Sequence, residues 1–240
     1  MELSQLLFPE LRRPSPDDLL AVAAVHQHRV AERPELFANL TCLASECTTI
    51  LADAPAGCTS VVSHYRSVTW PSVAFHSPSA TVLKDMLIAL CEESELTPYP
   101  MTRGEAFFSL VNQTDLGILR QAARVVAVRE FVQLLVTPET FKPCECFKAL
   151  PLGPQHLSDL NSLAAFADIA SFSPTDLVHG PHFGIFSGDR LVAMAGTRAA
   201  HPEQVVLGNI ATKPQYRRRK LGSACVSRAV QENLKVSPRG

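Results

Sequence analysis

Net charge is nearly absent from this sequence: 22 basic residues oppose 23 acidic ones, leaving a formal charge of -1. That balance excludes a protein whose main task is to coat nucleic acid or an anionic membrane. Long apolar runs are missing too, and none approaches the roughly 18–20 residues that a membrane-spanning helix requires. The opening Met1-Glu2-Leu3-Ser4-Gln5 lacks the basic start and apolar block of a secretory signal. Seven irregularly spaced cysteines, an odd number, read as reduced thiols, so a cytoplasmic protein is expected. What remains is a 46% hydrophobic, 19% charged composition, that of a folded chain long enough for one large domain or two small ones. The most telling absence is local. From Gln204 to Gln231 there is no Asp or Glu, while Lys213, Arg217, Arg218, Arg219, Lys220 and Arg228 are all basic.

The first third reads as helical. Pro14-Ser15-Pro16-Asp17-Asp18 places acids and proline where a helix should start, ahead of Leu19 to Val25. A second helix is expected from about Glu35 to Leu51. Thr59–Val68 and Ser72–His76 read as strands. Ser79 is positioned to cap a helix whose Val82, Leu83, Met86, Leu87 and Leu90 form a 3.6-residue stripe. Glu105–Val111 suggests a strand, Asp115–Arg124 a helix, and Val125–Val136 gives the strongest β pattern of this half.

The turn-rich Thr137–Cys144 reads as a linker, dividing residues 1–138 from 143–240. Beyond it, Phe147–Leu150 suggests a short strand and Gln155–Ala170 a helix. His182–Phe186 and Leu191–Arg198 read as a hairpin turning at Ser187-Gly188-Asp189-Arg190. A third strand begins at Val205 and a helix at about Leu221. Between these last two lies Lys213-Pro214-Gln215-Tyr216-Arg217-Arg218-Arg219-Lys220, a basic loop where a strand hands over to a helix. Such a junction suits pyrophosphate: free N–H groups point outward and the helix dipole favours an anion. A solvated basic face or a nucleic-acid patch is the blander reading of the charge run, and no interleaved aromatics beyond Tyr216 support the latter. His26-Gln27-His28 and Cys144-Glu145-Cys146 lack a partner pair at zinc-site spacing, so no metal is expected. Cys42, Cys47 and Cys58 read as idle thiols, Cys225 as a small core residue and Trp70 as packing.

On these residues the second half resembles the GNAT N-acetyltransferase superfamily. The hairpin Phe183-Gly184-Ile185-Phe186-Ser187-Gly188-Asp189-Arg190-Leu191-Val192-Ala193-Met194-Ala195-Gly196 is similar to that family's second and third strands. The run Asn209–Ala224 resembles its acetyl-CoA motif. Arg217 takes the Arg/Gln position, Gly222 the final Gly/Ala position, and Pro214 and Tyr216 fall where the family has a proline and an aromatic. Lys220 departs from the pattern, standing where the family has its first glycine.

The resemblance implies an α+β fold with a mixed, mostly antiparallel sheet flanked by helices, and transfer of an acetyl group from acetyl-CoA to an unidentified amine by direct attack. It implies that Arg217, Arg218, Arg219, Lys220, Leu221, Gly222 and Ser223 cradle the CoA pyrophosphate, while Ile210, Ala211 and Thr212 offer backbone to pantetheine. Glu203 and Asn209 are the nearby polar residues for a base role or for holding a water. A non-catalytic CoA-binding or structural relative is the alternative. The family's later elements, a fifth strand with a helix and a terminal hairpin, have no counterpart before Gly240. The expectation is therefore a shortened chain, or a fold completed by the N-terminal half. That half is α/β, and its element order allows a degenerate second copy without the phosphate loop.

Overall fold

The computed structural model describes residues 10–27, 32–53, 59–67, 71–94, 101–167, 172–201 and 204–236. His28, Cys58, Trp70 and Glu203 lie outside them. The chain divides into two compact units, residues 1–133 and 134–240, each described by itself.

In the first unit, β1 (Leu11–Arg12) leads into α1 (Pro16–His26) and α2 (Pro34–Leu40), followed by β2 (Cys47–Ala52), β3 (Ser60–Tyr65), β4 (Ser72–His76), α3 (Ala80–Ser94) and α4 (Gln113–Ala122). Helix α1 starts where the sequence asks it to. Ser15 accepts from the Asp18 backbone, the Asp18 carboxylate accepts from the Ser15 backbone N–H at 2.8 Å, and Pro16 opens the helix. The strands form an antiparallel sheet in the order β1-β2-β3-β4. One face packs Ile50, Val62, Val73 and Phe75 against Leu83, Met86 and Leu90 of α3. The other packs Leu51, Val61 and Ala74 against Val22 of α1 and Leu36, Phe37 and Leu40 of α2. With both faces covered, β3 is buried at every position.

Three expectations are corrected here. The helix expected over Glu35–Leu51 stops at Leu40, because Thr48, Thr49 and Ile50 are β-branched and join the sheet within β2. Glu105–Val111 contributes a single parallel bridge, Phe108 to Ser72, and no strand. Val125–Val136 forms no strand either. Its β pattern has no partner edge among the described residues, and Val126, Phe131, Val132, Leu134 and Leu135 are left exposed.

The second unit contains β5 (Leu150–Leu152), α5 (Leu157–Phe166), α6 (Asp176–His179), β6 (His182–Ser187), β7 (Arg190–His201), β8 (Gln204–Thr212) and α7 (Leu221–Val236). Its sheet is again antiparallel, in the order β5-β6-β7-β8. The expected strand at Phe147–Leu150 sits a few residues later, with Pro151 tolerated because β5 is an edge. The expected helix from Gln155 opens with a 3-10 turn at Pro154–His156 and is α-helical from Leu157 to Phe166. One sheet face packs Phe183, Ala193 and Ala195 against Leu221, Ala224, Cys225 and Ala229 of α7. The other packs Leu152, Met194 and Ala211 against Leu160, Leu163 and Ala164 of α5. Cys225 is fully buried, and burial pushes its thiol up to about 12, so it is a core residue.

The two units share one element order: strand, two helices, three antiparallel strands, helix. In the first unit this order runs from β1 to α3, residues 11–94, and is followed by α4.

His64 on β3 is fully buried, and neither ring nitrogen has a hydrogen-bond partner among the described residues. Burial, reinforced by Arg66, holds the ring down at about 4. In the unfolded chain it protonates near 6.5. Between those values only the unfolded state takes up the proton, so stability is intact above about pH 6.5 and falls as pH drops towards 4. Denaturant titrations from pH 7 to 4.5 should show this loss, at most about 3 kcal/mol, and His64→Leu should flatten the profile.

Candidate functional site

The basic loop lies where β8 passes into α7. Strand β8 is at the sheet edge, so one side pairs with β7 while the other has no partner strand among the described residues. Its pairing is interrupted twice: between the Thr197–Leu207 and Ala199–Val206 pairs Arg198 is an extra residue on β7, and the other interruption lies on β8 itself. Met194 pairs with Ala211 and Gly196 with Gly208, so Asn209 and Ile210 together oppose Ala195 in a β-bulge. Asn209 has φ 55°, the left-handed conformation that the first residue of such a bulge adopts. The bulge turns Asn209 into the protein, leaves Ile210 half exposed and buries Ala211 again.

After Thr212 the chain makes a 3-10 turn over Pro214–Tyr216, closed by the Tyr216 N–H on the Lys213 carbonyl at 2.8 Å. Arg217 Nε donates to the Thr212 carbonyl at 3.0 Å. Arg218 and Lys220 both have φ 63°, so left-handed residues flank Arg219. This geometry turns successive amides to one side, and the backbone N–H groups of residues 218–223 donate to no acceptor among the described residues. They border a depression of about 390 Å³ lined by Thr212, Tyr216, Arg217, Arg218, Lys220 and Gly222, among others. The first turn of α7 carries no acid to offset the dipole. The guanidinium of Arg219 lies 5.8 Å from the Tyr216 ring centre, and Tyr216 donates to Ser187 Oγ at 3.2 Å. A Cβ on Gly222 would stand 3.0 Å from Thr212 Oγ1, so glycine lets the helix start close to the strand end. The structure thus places Ile210, Thr212, Arg217, Arg218, Arg219, Lys220, Gly222 and Ser223 along one strand end, loop and helix start, with Ala211 and Leu221 buried beneath them. Glu203 is outside the described residues.

Behind the bulge lies a buried polar group that the sequence did not disclose. Asp176, at the start of α6, has no exposed surface. Its Oδ2 accepts from Asn209 Nδ2 at 2.8 Å and from the Ser173 N–H at 3.0 Å. Burial raises its carboxyl above the ordinary range, against the lowering influence of the Ser173 and Asn209 hydrogen bonds and of Arg198 and His182. His182 is likewise buried, and burial lowers its ring below the usual value although the Gly180 carbonyl and Asp176 oppose this. Its ring fills the space of a missing side chain: a Cβ on Gly196 would collide with the His182 ring. Asn233 of α7 donates to Thr197 Oγ1 at 2.8 Å. The local signal for Asp176 was Ser173-Pro174-Thr175-Asp176, a capping-box spacing; nothing local points from it to Asn209.

Among the described residues no group of three or more His, Cys, Asp or Glu could hold a metal, and no helix is long and apolar enough to cross a membrane. His26 packs edge-on against His76, and Cys144 and Cys146 are free thiols.

Residues 154–235, which lie within the second unit, match the acetyltransferase (GNAT) family. Among solved structures, a Drosophila protein is 14% identical over 95% of this chain and 86% of its own, with a TM-score of 0.63. A GCN5-related N-acetyltransferase from Kribbella flavida is 15% identical over 87% of this chain and 81% of its own, with a TM-score of 0.52. A GNAT-family protein from Novosphingobium aromaticivorans is 23% identical over 36% of this chain; the TM-score is 0.35 and the match spans 39% of that protein's length. No curated protein matches the chain. The α+β architecture, with antiparallel sheets flanked by helices, is that of GNAT-fold structures over most of the chain.

The left-handed φ of Lys220 costs a side-chain-bearing residue on the order of 1 kcal/mol that glycine escapes. Lys220→Gly should therefore raise the unfolding free energy of the protein by a few tenths to about 1 kcal/mol, the lower figure reflecting the freer unfolded chain. Denaturant melts at neutral pH read this directly.

Proposed function

We propose that the chain is an N-acyltransferase that takes an acetyl group from acetyl-CoA and passes it to an amine by direct attack. One observation carries this reading: within the segment that matches the GNAT family, six consecutive unpaired amides at residues 218–223 continue from the open edge of β8. In this reading the amides and the cations around them bind pyrophosphate, an interaction favoured by the dipole of α7. The open edge of Ile210–Thr212 receives the pantetheine arm through main-chain hydrogen bonds, as an added strand would. An N–H of the bulge faces the thioester oxygen, where charge develops as the amine attacks. The C–N bond forms, the C–S bond breaks, CoA leaves as the thiol, and the amine surrenders one proton. Asn209 serves this site by shaping the bulge, since its side chain is buried and engaged with Asp176.

A second reading, a CoA-binding module without turnover, draws on Lys220, which occupies a left-handed position where the family pattern has glycine.

Calorimetry with acetyl-CoA tests both. Heat of binding at hundreds of micromolar ligand is expected, and its absence would overturn both. Gly222→Val pushes branched methyls into the depression and should weaken binding at least tenfold; unchanged affinity would refute the loop assignment. Thiol release in the presence of an amine panel then separates the readings: release supports transfer, and binding without release supports the module.

A further inference from the structure

We propose that Asp176 is a positioning residue: its buried carboxylate holds Asn209 in the left-handed conformation and so fixes the bulge that sets the direction of the β8 backbone at residues 209–211. The structural link stands on geometry alone. Its consequence for catalysis rests on the acyltransferase reading given above.

A bulge of the class whose first residue is left-handed usually has glycine there. Here that residue is Asn209, with φ 55°. Asparagine tolerates this conformation better than most side chains, yet the extended alternative is still lower in energy for an isolated residue. Something must hold it. The Asn209 amide donates to Asp176 Oδ2 at 2.8 Å, and that oxygen also accepts the Ser173 N–H at 3.0 Å. The acceptor is thus tied to the turn that begins α6, and the clamp has a fixed base. Asp176 is fully buried and Asn209 nearly so, which leaves no water to replace the bond if it breaks.

The arrangement is costly in itself. Asp176 Oδ1 and Asn209 Oδ1 are both buried without a hydrogen-bond partner among the described residues. An apolar pair of the same size would fill this space without that desolvation cost. What the pair provides is direction. If Asn209 relaxed to an extended conformation, the two-against-one count at Ala195 would be lost. Ile210 and Ala211 would exchange faces, because a one-residue slip in a strand inverts every side chain and every amide beyond it.

The test uses the full chain and three readouts: the backbone chemical shifts of residues 209–211, the affinity for acetyl-CoA, and the turnover number with an amine. Asp176→Ala should move the residue 209 shifts out of the left-handed range. It should lower turnover at least tenfold and weaken acetyl-CoA binding by a smaller factor, because the backbone of residues 210–212 is redirected while the amides of residues 218–223 stay in place. Asp176→Asn keeps an acceptor oxygen and should recover most of the turnover. Asn209→Gly added to Asp176→Ala should also recover it, since glycine adopts positive φ unaided. The proposal is overturned if residue 209 remains left-handed in Asp176→Ala, or if glycine at 209 fails to rescue. It is overturned equally if Asp176→Asn is as defective as Asp176→Ala, which would make the charge the acting feature. Should Asp176→Ala not fold, the Asn variant and the double variant decide. If the unaltered protein does not bind acetyl-CoA, the acyltransferase reading fails, and the chemical shifts still decide the clamp.

Discussion

The second unit depends on a strand that is paired on one edge and open on the other. Strand β8 hydrogen-bonds to β7 along nearly its whole length, and its outer edge has no partner strand among the described residues. An open edge normally invites aggregation. Here it is interrupted by the bulge at Asn209–Ile210 and terminated by the proline turn after Lys213. Those two features divide the edge into a short stretch of usable backbone, residues 210–212, and a loop of outward-facing amides. Packing of Leu221, Ala224, Cys225 and Ala229 onto Phe183, Ala193 and Ala195 then fixes α7 close behind, so that strand edge and helix start form one surface.

The same topology closes the corresponding junction in the first unit. Between β4 and α3 the chain runs Ser77-Pro78-Ser79, with no cation. Ser77 Oγ donates to the Ser79 carbonyl at 2.9 Å and accepts the Ser79 N–H at 3.3 Å, while Ser79 Oγ accepts from Val82 N at 3.4 Å. Two of the donors at this junction, the Ser79 and Val82 N–H groups, are consumed by the turn itself. At the start of α7 no Ser, Thr, Asp or Asn occupies the capping position, and the amides stay available. One arrangement of strands and helices thus yields a capped turn or a run of unpaired amides according to a few side chains.

Where local chemistry decides the outcome, the sequence was readable. The Ser15–Asp18 capping box, the apolar stripe of α3, the hairpin at Ser187–Arg190 and the strand–loop–helix order around Arg217 all stand within a few residues of expectation. Distance in the chain defeated the rest. Val125–Val136 has the composition of a strand, and nothing in it says whether an edge is available to receive it. Thr48-Thr49-Ile50 follows a true helix and was absorbed into it, because periodicity alone separates short apolar helices from strands poorly. The Asp176–Asn209 contact spans 33 positions and crosses from a one-turn helix to an edge strand. Its only sequence traces, a capping-box spacing at Ser173 and an asparagine in a β-branched run, have no visible relation until the chain is folded.

Backbone strain shows how the two halves of the site differ. Asn209, Arg218 and Lys220 are the non-glycine residues with positive φ among the described residues, and all three fall within twelve positions. Such conformations persist only where the surroundings impose them. At Asn209 the restraint is a buried side-chain hydrogen bond to an immobile partner. At Arg218 and Lys220 the side chains are exposed, and the restraints lie at the loop ends: Arg217 Nε on the Thr212 carbonyl and the Ala224 N–H on the Lys220 carbonyl. The loop therefore has room to adjust between those two ends. The bulge has no such freedom, because its restraint is a single buried contact with no water to take its place.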